Sequence, residues 1–275
     1  MAYKMIVSDL DESLLRTDGT VSPADIATIA KLQAQGVKFV PNTGRGFASV
    51  QALLKTIGTV QKPGQYVISY NGGAIIENAG NKIIAAHLLP HAVADAIFRL
   101  GAAHSLLGSH IYTFHTVYVF RPTPEEKAYL ASRGVTYQAW TAPDLSALAE
   151  RQIAKVIFEH PDLAVRQAFA AEVAEKVAYP CTVSYSSGRY VEFNPSGIDK
   201  GDAAIALGQQ IGIMPDEIIG LGDNLNDLQM LQKVGLGVSV ANGIPAVQQA
   251  ADLVLPVDND HNPVTALYQA VFAKR

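Results

Sequence analysis

The chain has 275 residues, 49% hydrophobic and 17% charged, with a formal net charge of −4. That length suits one large or two modest domains, and the composition excludes a disordered chain. The slight acidic excess, without any dense Lys/Arg run, argues against a nucleic-acid binder. No apolar run reaches membrane-spanning length. A single cysteine, Cys181, excludes both an intramolecular disulfide and a cysteine-based zinc site, and it reads as a small apolar residue on a strand. Asp9 and Asp11 interrupt the N-terminus too early for a secretory leader, so the expected compartment is the cytoplasm.

The first element is a short apolar run, Met5-Ile6-Val7-Ser8, which predicts a buried strand leading into Asp9-Leu10-Asp11. Residues two apart on a strand point the same way, so both carboxylates are expected to face one spot. There they repel each other unless a cation or a transferable proton lies between them. A metal site, an acid/base pair and an ordinary surface turn all remain open on this segment alone.

Ser22-Pro23-Ala24-Asp25 is a helix start, with Ile26, Ile29 and Leu32 at helical spacing and Gly36 as the stop. A strand at Val37-Lys38-Phe39-Val40 follows, then the turn Asn42-Thr43-Gly44-Arg45-Gly46, a helix through Ile57 and a third strand, Tyr66-Val67-Ile68-Ser69. This strand–helix alternation predicts a parallel sheet containing all three strands. Asn71-Gly72-Gly73 breaks the rhythm, and two strand-like runs around Asn78-Ala79-Gly80-Asn81 read as a hairpin. From 86 to 190, helical stretches near 91–102 and 161–176 mix with strands such as Val117-Tyr118-Val119-Phe120 and Lys155-Val156-Ile157-Phe158. The α/β rhythm resumes after Asp199-Lys200, with a strand ending in Gly220-Leu221 before Gly222-Asp223-Asn224-Leu225-Asn226-Asp227. The expected organisation is one α/β domain, residues 1–85 and 191–275, bracketing an α+β insert at 86–190.

Four polar clusters thus follow strands or begin helices: Asp9/Asp11, Thr43-Gly44-Arg45, Lys200 and the 222–227 segment. If their strands are parallel neighbours, Asp9, Asp11, Asp223 and Asp227 converge, and such a set of carboxylates suits a hard cation, Mg2+ best. The Thr43 hydroxyl and the N–H groups of Thr43-Gly44-Arg45 suit phosphate oxygens, and Lys200 can offset charge on a transferring group. One carboxylate can serve as nucleophile and a second as proton carrier.

With these residues in view, the chain resembles the haloacid dehalogenase superfamily, and within it the Cof-type phosphatases. Met5 to Ser13 match its hhhhDxDxT/V motif, Thr43 its second motif, Lys200 its third and residues 222–227 its GDxxND motif in full. Asn71-Gly72-Gly73 and Asn242-Gly243-Ile244-Pro245 are also similar to this branch. The resemblance implies a Rossmann-like parallel-sheet core with the insert as an α+β cap. It also implies a Mg2+-dependent phosphatase acting on small phosphorylated metabolites, sugar phosphates or cofactor phosphates, through a phospho-Asp9 intermediate. On this reading Asp11 is the general acid/base and lends its carbonyl to the metal. Asp223 is a metal ligand, and Asp227 binds through water or holds Lys200. Asn226 orients the phosphate or the loop, and Thr43, Gly44 and Lys200 hold phosphoryl oxygens. Arg45 either binds phosphate or pairs with a core acid. Asn71, and Ser187, Arg189 and Asn194 near the return from the insert, are candidate substrate contacts.

Glu12-Ser13 departs from the usual Gly-Thr. Ser13 keeps a hydroxyl, and Glu12 is expected to face solvent. His104, His110 and His115 lack metal-ligand spacing, and Trp140 reads as a packing residue. A dehalogenase needs neither Asp11 nor the full GDxxND end. A phosphomutase shares all the motifs, and a catalytically impaired phosphometabolite-binding protein is the alternative outside enzymes. Neither the oligomeric state nor the physiological substrate is written in the chain.

Overall fold

In the computed structural model, which describes residues 3–273, the opening apolar run forms strand β1 (Met5–Ser8), buried at every position. Helix α1 (Pro23–Ala34) starts where the Ser22 hydroxyl accepts the N–H of Asp25 and Pro23 occupies the first turn. Strand β2 (Lys38–Pro41), helix α2 (Gln51–Thr56), and strands β3 (Tyr66–Ser69), β4 (Ala74–Glu77) and β5 (Lys82–Ala86) follow.

Next come α3 (His91–Ala103), β6 (Gly108–Thr113), β7 (Val117–Phe120), α4 (Pro124–Ser132) and β8 (Gln138–Trp140). They are followed by β9 (Ile153–Glu159), α5 (Leu163–Lys176), β10 (Cys181–Ser186) and β11 (Tyr190–Pro195). The chain closes with α6 (Lys200–Gln210), β12 (Ile218–Gly222), α7 (Leu228–Lys233), β13 (Leu236–Ser239), α8 (Pro245–Ala250), β14 (Leu253–Val254) and α9 (Pro263–Val271).

The chain divides into two compact units. One runs through Ala86 and resumes at Ile198; the other is His87–Gly197. The chain re-enters the first unit at 198 rather than 191, because β11 is paired antiparallel with both β10 and β9 and so belongs to the second.

In the first unit a parallel sheet has the order β14-β13-β12-β1-β2, which puts β1 and β12 side by side near its middle. Its core joins Met5, Val7 and Val40 to Leu207, Ile218 and Met230. The third predicted strand is not in this sheet. β3 pairs antiparallel with β4 and meets the chain just beyond β2 through the parallel bridge Asn42–Ile68. The cause is the turn after it: Tyr70, Asn71 and Gly72 all take positive φ (57°, 54° and 99°) and reverse the chain at once into the β3-β4-β5 meander.

The second unit has a six-stranded sheet, β10-β11-β9-β6-β7-β8, antiparallel except between β7 and β8. One face packs Phe98, Phe158, Phe169 and Phe193 into an aromatic core. The alternate positions carry His110, Lys155, Glu192 and Asn194. Among the described residues, no helix is long and apolar enough to cross a membrane.

Candidate active site

Parallel pairing of β1 with β12 sets Ser8 opposite Leu221, so the segments leaving both strands emerge at the same sheet edge. The Asp9 N–H continues the ladder to the Leu221 carbonyl at 2.8 Å. One carboxylate oxygen each of Asp9, Asp223 and Asp227 then lies within 4.8 Å of the other two, and all three residues are buried.

Asp227 is fixed from both sides. Its Oδ2 accepts the N–H groups of Asp223 and Asn224, each at 3.1 Å, and its Oδ1 accepts Lys200 Nζ at 2.7 Å. Gly222 is required by this arrangement, because a Cβ there would stand 2.5 Å from the Cβ and Cγ of Asp227. Lys200 is the first residue of α6, capped by Asp199, and is fully buried. Its ammonium also pairs with Asp9 Oδ1. The start of α6 is held by Asn42, whose Nδ2 donates to the Lys200 carbonyl at 3.0 Å. Gly72 packs so closely on the Asp199 carbonyl that a side chain there would collide with it.

Three carboxylates against one ammonium leave negative charge in excess. Burial raises the Asp9 carboxyl well above its usual value; the Lys200 charge opposes this, while Asp227 and Asp223 add to it. Burial likewise pushes Asp223 up to about 6, against the Ser13 hydrogen bond and with help from the Asp227 charge. Burial alone would lower Lys200, but the charges of Asp227 and Asp9 hold it above the ordinary lysine value.

Asp11 does not join this cluster. β1 ends at Ser8, so strand alternation no longer governs residues 9–11. Leu10 is buried, and its carbonyl accepts the N–H groups of Leu14 (3.1 Å) and Leu15 (2.7 Å), curling the chain into a turn. The Asp11 side chain, half-exposed on this turn, forms a bidentate pair with Arg45 (Nε to Oδ2, 2.9 Å). Arg45 thus pairs with an acid, and with a half-exposed one rather than one of the core. Glu12 is exposed and takes φ 63° although it is not glycine. Ser13 is buried and donates its hydroxyl to Asp223 Oδ1 at 2.6 Å, a link across the site.

Two N–H groups of the Thr43-Gly44-Arg45 turn have partners within the protein. The Thr43 N–H goes to the Ile68 carbonyl (3.0 Å), and the Arg45 N–H to Thr43 Oγ1 (3.1 Å). Asn226 donates to Asn71 Oδ1 at 3.1 Å, and Asn71 donates its N–H to the Thr43 carbonyl at 2.9 Å. A Cβ on Gly44 would sit 3.1 Å from the Asn71 carboxamide, so Thr43, Gly44, Asn71 and Asn226 form one continuous run of contacts.

Ser187, Arg189 and Asn194 belong to the second unit. Ser187 and Arg189, at the β10–β11 turn, engage α4: Tyr129 donates to Ser187 Oγ at 3.0 Å, and Arg189 pairs with Glu126 at 3.0 Å over the Tyr129 ring. Asn194 is buried on β11, its Nδ2 3.5 Å from the Thr182 carbonyl and from Ser184 Oγ. His104 faces Glu172 and His110 faces Glu126, while Trp140 packs edge-on against Tyr118.

The sequence places Asn42 and Gly222 within their motifs but assigns neither a role of its own. A polar residue directly after the apolar strand Lys38–Pro41, and a glycine closing a strand just before two acids, were the available signals.

Comparison with known proteins agrees with this geometry. The haloacid dehalogenase-like hydrolase family matches residues 6–267. A Haemophilus influenzae protein named "Putative phosphatase" is 28% identical over 261 residues, covering 94% of this chain and 95% of its own. The HMP-PP phosphatase of Serratia proteamaculans is 27% identical, covering 90% of this chain and 86% of its own. The crystal structure of TM0651 from Thermotoga maritima is 25% identical with a TM-score of 0.84, covering 98% of this chain and 97% of its own. The chain belongs to the haloacid dehalogenase-like hydrolase family, in its Cof-type phosphatase branch.

Proposed function

We propose that this phosphatase is a Mg2+-dependent phosphomonoester hydrolase that acts on small phosphorylated metabolites by transferring the phosphoryl group to Asp9. The observation that carries this reading is the buried set Asp9, Asp223 and Asp227, its oxygens within 4.8 Å of one another and Lys200 bridging two of them. The set fits a hard divalent cation, because its donors are all oxygen and its charge exceeds what Lys200 neutralises. Asp9 and Asp223 would hold the ion, with Asp227 beside them orienting Lys200. Bound Mg2+ would neutralise charge on the phosphoryl oxygens.

A carboxylate oxygen of Asp9 attacks phosphorus. The bond from phosphorus to the ester oxygen breaks as the bond to Asp9 forms, and the leaving oxygen takes a proton from Asp11. Water then attacks the phospho-Asp9 phosphorus and gives a proton to Asp11 as the bond from phosphorus to the Asp9 oxygen breaks, which restores the Asp9 carboxylate and releases inorganic phosphate. Asp11 is paired with Arg45 in this structure, so both proton transfers require that pair to open. Lys200 offsets charge at the attacking carboxylate. Thr43 and Gly44 are the proposed contacts for phosphoryl oxygens, with Asn226 holding their turn through Asn71. The second unit, His87–Gly197, is the proposed selector of the organic part of the substrate, with Asn194, Ser187 and Arg189 as its candidate contacts.

The substrate class is sugar phosphates or cofactor phosphates. The Serratia relative, named for HMP-PP, supports including that compound. The test is release of inorganic phosphate from a panel of sugar phosphates, flavin mononucleotide, pyridoxal phosphate and HMP-PP, with Mg2+ or with EDTA. Release with Mg2+ and its loss in EDTA support the reading; isomerised product without free phosphate sinks it.

A further inference from the structure

The turn that carries Asp11 and Ser13 also contains a backbone conformation that needs support. Glu12 sits at φ 63°, where residues bearing a Cβ are disfavoured. Its carbonyl is held from far along the chain: Asn242 Nδ2 donates to it at 2.8 Å. The Asn242 carboxamide is itself fixed, because its Oδ1 accepts the N–H of Asn259 at 3.0 Å. Buried Asn259 then reaches the same turn a second time, donating Nδ2 to the Leu15 carbonyl at 2.9 Å. One residue further, Asp260 accepts the Thr17 N–H at 2.8 Å and its hydroxyl at 2.7 Å.

The other half of the site is gripped by the same loop. The Ile244 N–H donates to the Asp223 carbonyl at 2.9 Å. Gly243 lies so close to Ser239 Oγ that no side chain fits, and its Cβ position would be 3.5 Å from the Asp223 Cα. Residues 242–244 therefore hold the Glu12 carbonyl with one end and the Asp223 carbonyl with the other. Ser13 closes the circuit through its 2.6 Å hydrogen bond to Asp223.

We infer that Asn242, backed by Asn259, is a positioning residue for the phosphoryl-transfer reaction: it stabilises the left-handed Glu12 and so fixes the Asp9–Ser13 turn against the Asp223 loop. This rests on the phosphatase reading of the same site. A glycine at 12 would adopt this conformation without restraint, so the need for Asn242 is tied to Glu12.

The test compares full-length wild type, Asn242→Ala and the double variant Asn242→Ala/Glu12→Gly. Hydrogen exchange at the Ser13–Leu15 amides is read first, because it does not depend on turnover. Exchange is expected to be about tenfold faster in Asn242→Ala and to return toward wild type in the double variant. With p-nitrophenyl phosphate and Mg2+, Asn242→Ala is expected to lose about tenfold in kcat with KM nearly unchanged, and Glu12→Gly to restore most of it. Unchanged exchange in Asn242→Ala overturns the inference, as does an unchanged kcat, or a loss that Glu12→Gly does not repair. A wild type without phosphate release sinks the phosphatase reading instead, and the exchange result still decides whether Asn242 holds the turn.

Discussion

Replacing Lys200 by Met removes the ammonium that pairs with the buried carboxylates Asp9 and Asp227 while keeping most of the side-chain volume. Lys200 is fully buried and pairs with Asp227 at 2.7 Å and with Asp9. Breaking a buried pair from one side leaves the partner charge uncompensated and costs about 3–5 kcal/mol. For a chain of this size that loss lowers the melting temperature by on the order of 10 °C. The pH dependence has a definite sign. Burial already raises Asp9, and losing the cation raises it further, so the folded variant binds protons that the unfolded chain has released. Its stability therefore rises as pH falls below neutrality. Mg2+ replaces the missing charge in part, and at a hundredfold excess over its dissociation constant it returns about 2.7 kcal/mol. The assay is thermal unfolding of the full chain followed by circular dichroism, across pH, with and without Mg2+. A metal-free variant within about 1 kcal/mol of wild type, or one whose melting point ignores Mg2+, would refute the reasoning.

Three further outcomes are expected. Gly222→Ala forces the Asp227 side chain away from a Cβ that would stand 2.5 Å from it; overpacking costs about 1–3 kcal/mol, and the displaced carboxylate lowers kcat by about 100-fold, read by denaturant titration and phosphate release. Asp223 is raised from 3.8 to about 6 by burial. Its contribution to metal-free stability is thus present below pH 4 and lost as pH rises through 6, while Mg2+ affinity, measured by calorimetry, climbs with pH as the carboxyls of Asp223 and Asp9 give up their protons, by about tenfold per pH unit for each proton released. Glu126→Ala strips a buried carboxylate from Tyr190, Arg189 and His110. The second unit should lose about 3 kcal/mol, with Mg2+ affinity unchanged because, among the described residues, the two sites share no hydrogen-bond partner.

Much of this architecture is written in local patterns. The run Met5–Ser8 reads as a buried strand because nothing in it interrupts the apolar sequence, and Ser22-Pro23 announces α1 through a capping hydroxyl and a missing N–H. The hairpin at 74–86 is legible from its Asn-Ala-Gly-Asn turn, where Gly80 and Asn81 take φ 68° and 50°. What local pattern does not carry is partner choice. Tyr66–Ser69 has the composition of a parallel core strand, yet the positive-φ turn at 70–72 delivers a closer partner, β4, and the chain just beyond β2 is met through the bridge Asn42–Ile68. The direction of Asp11 is of the same kind. Alternation applies only while the strand lasts; β1 ends at Ser8, three residues before Asp11, and the hydrogen bonds of Leu14 and Leu15 to Leu10 curl the chain there. The roles of Ser13, Asn42 and Asn242 depend on contacts across 210, 158 and 230 residues of chain, where spacing carries no signal. The Arg189 pair with Glu126 likewise appears only once α4 is docked on the sheet.

Phosphate release by Asp9→Asn tests the central claim most directly. The substitution keeps the shape of the side chain and its place beside Lys200 but removes the nucleophilic charge. With the best substrate of the panel and saturating Mg2+, wild type is expected to release inorganic phosphate. Asp9→Asn, folded as judged by its circular dichroism, is expected to release none above the no-enzyme rate. Substantial release by the folded Asp9→Asn protein would contradict phosphoryl transfer to Asp9.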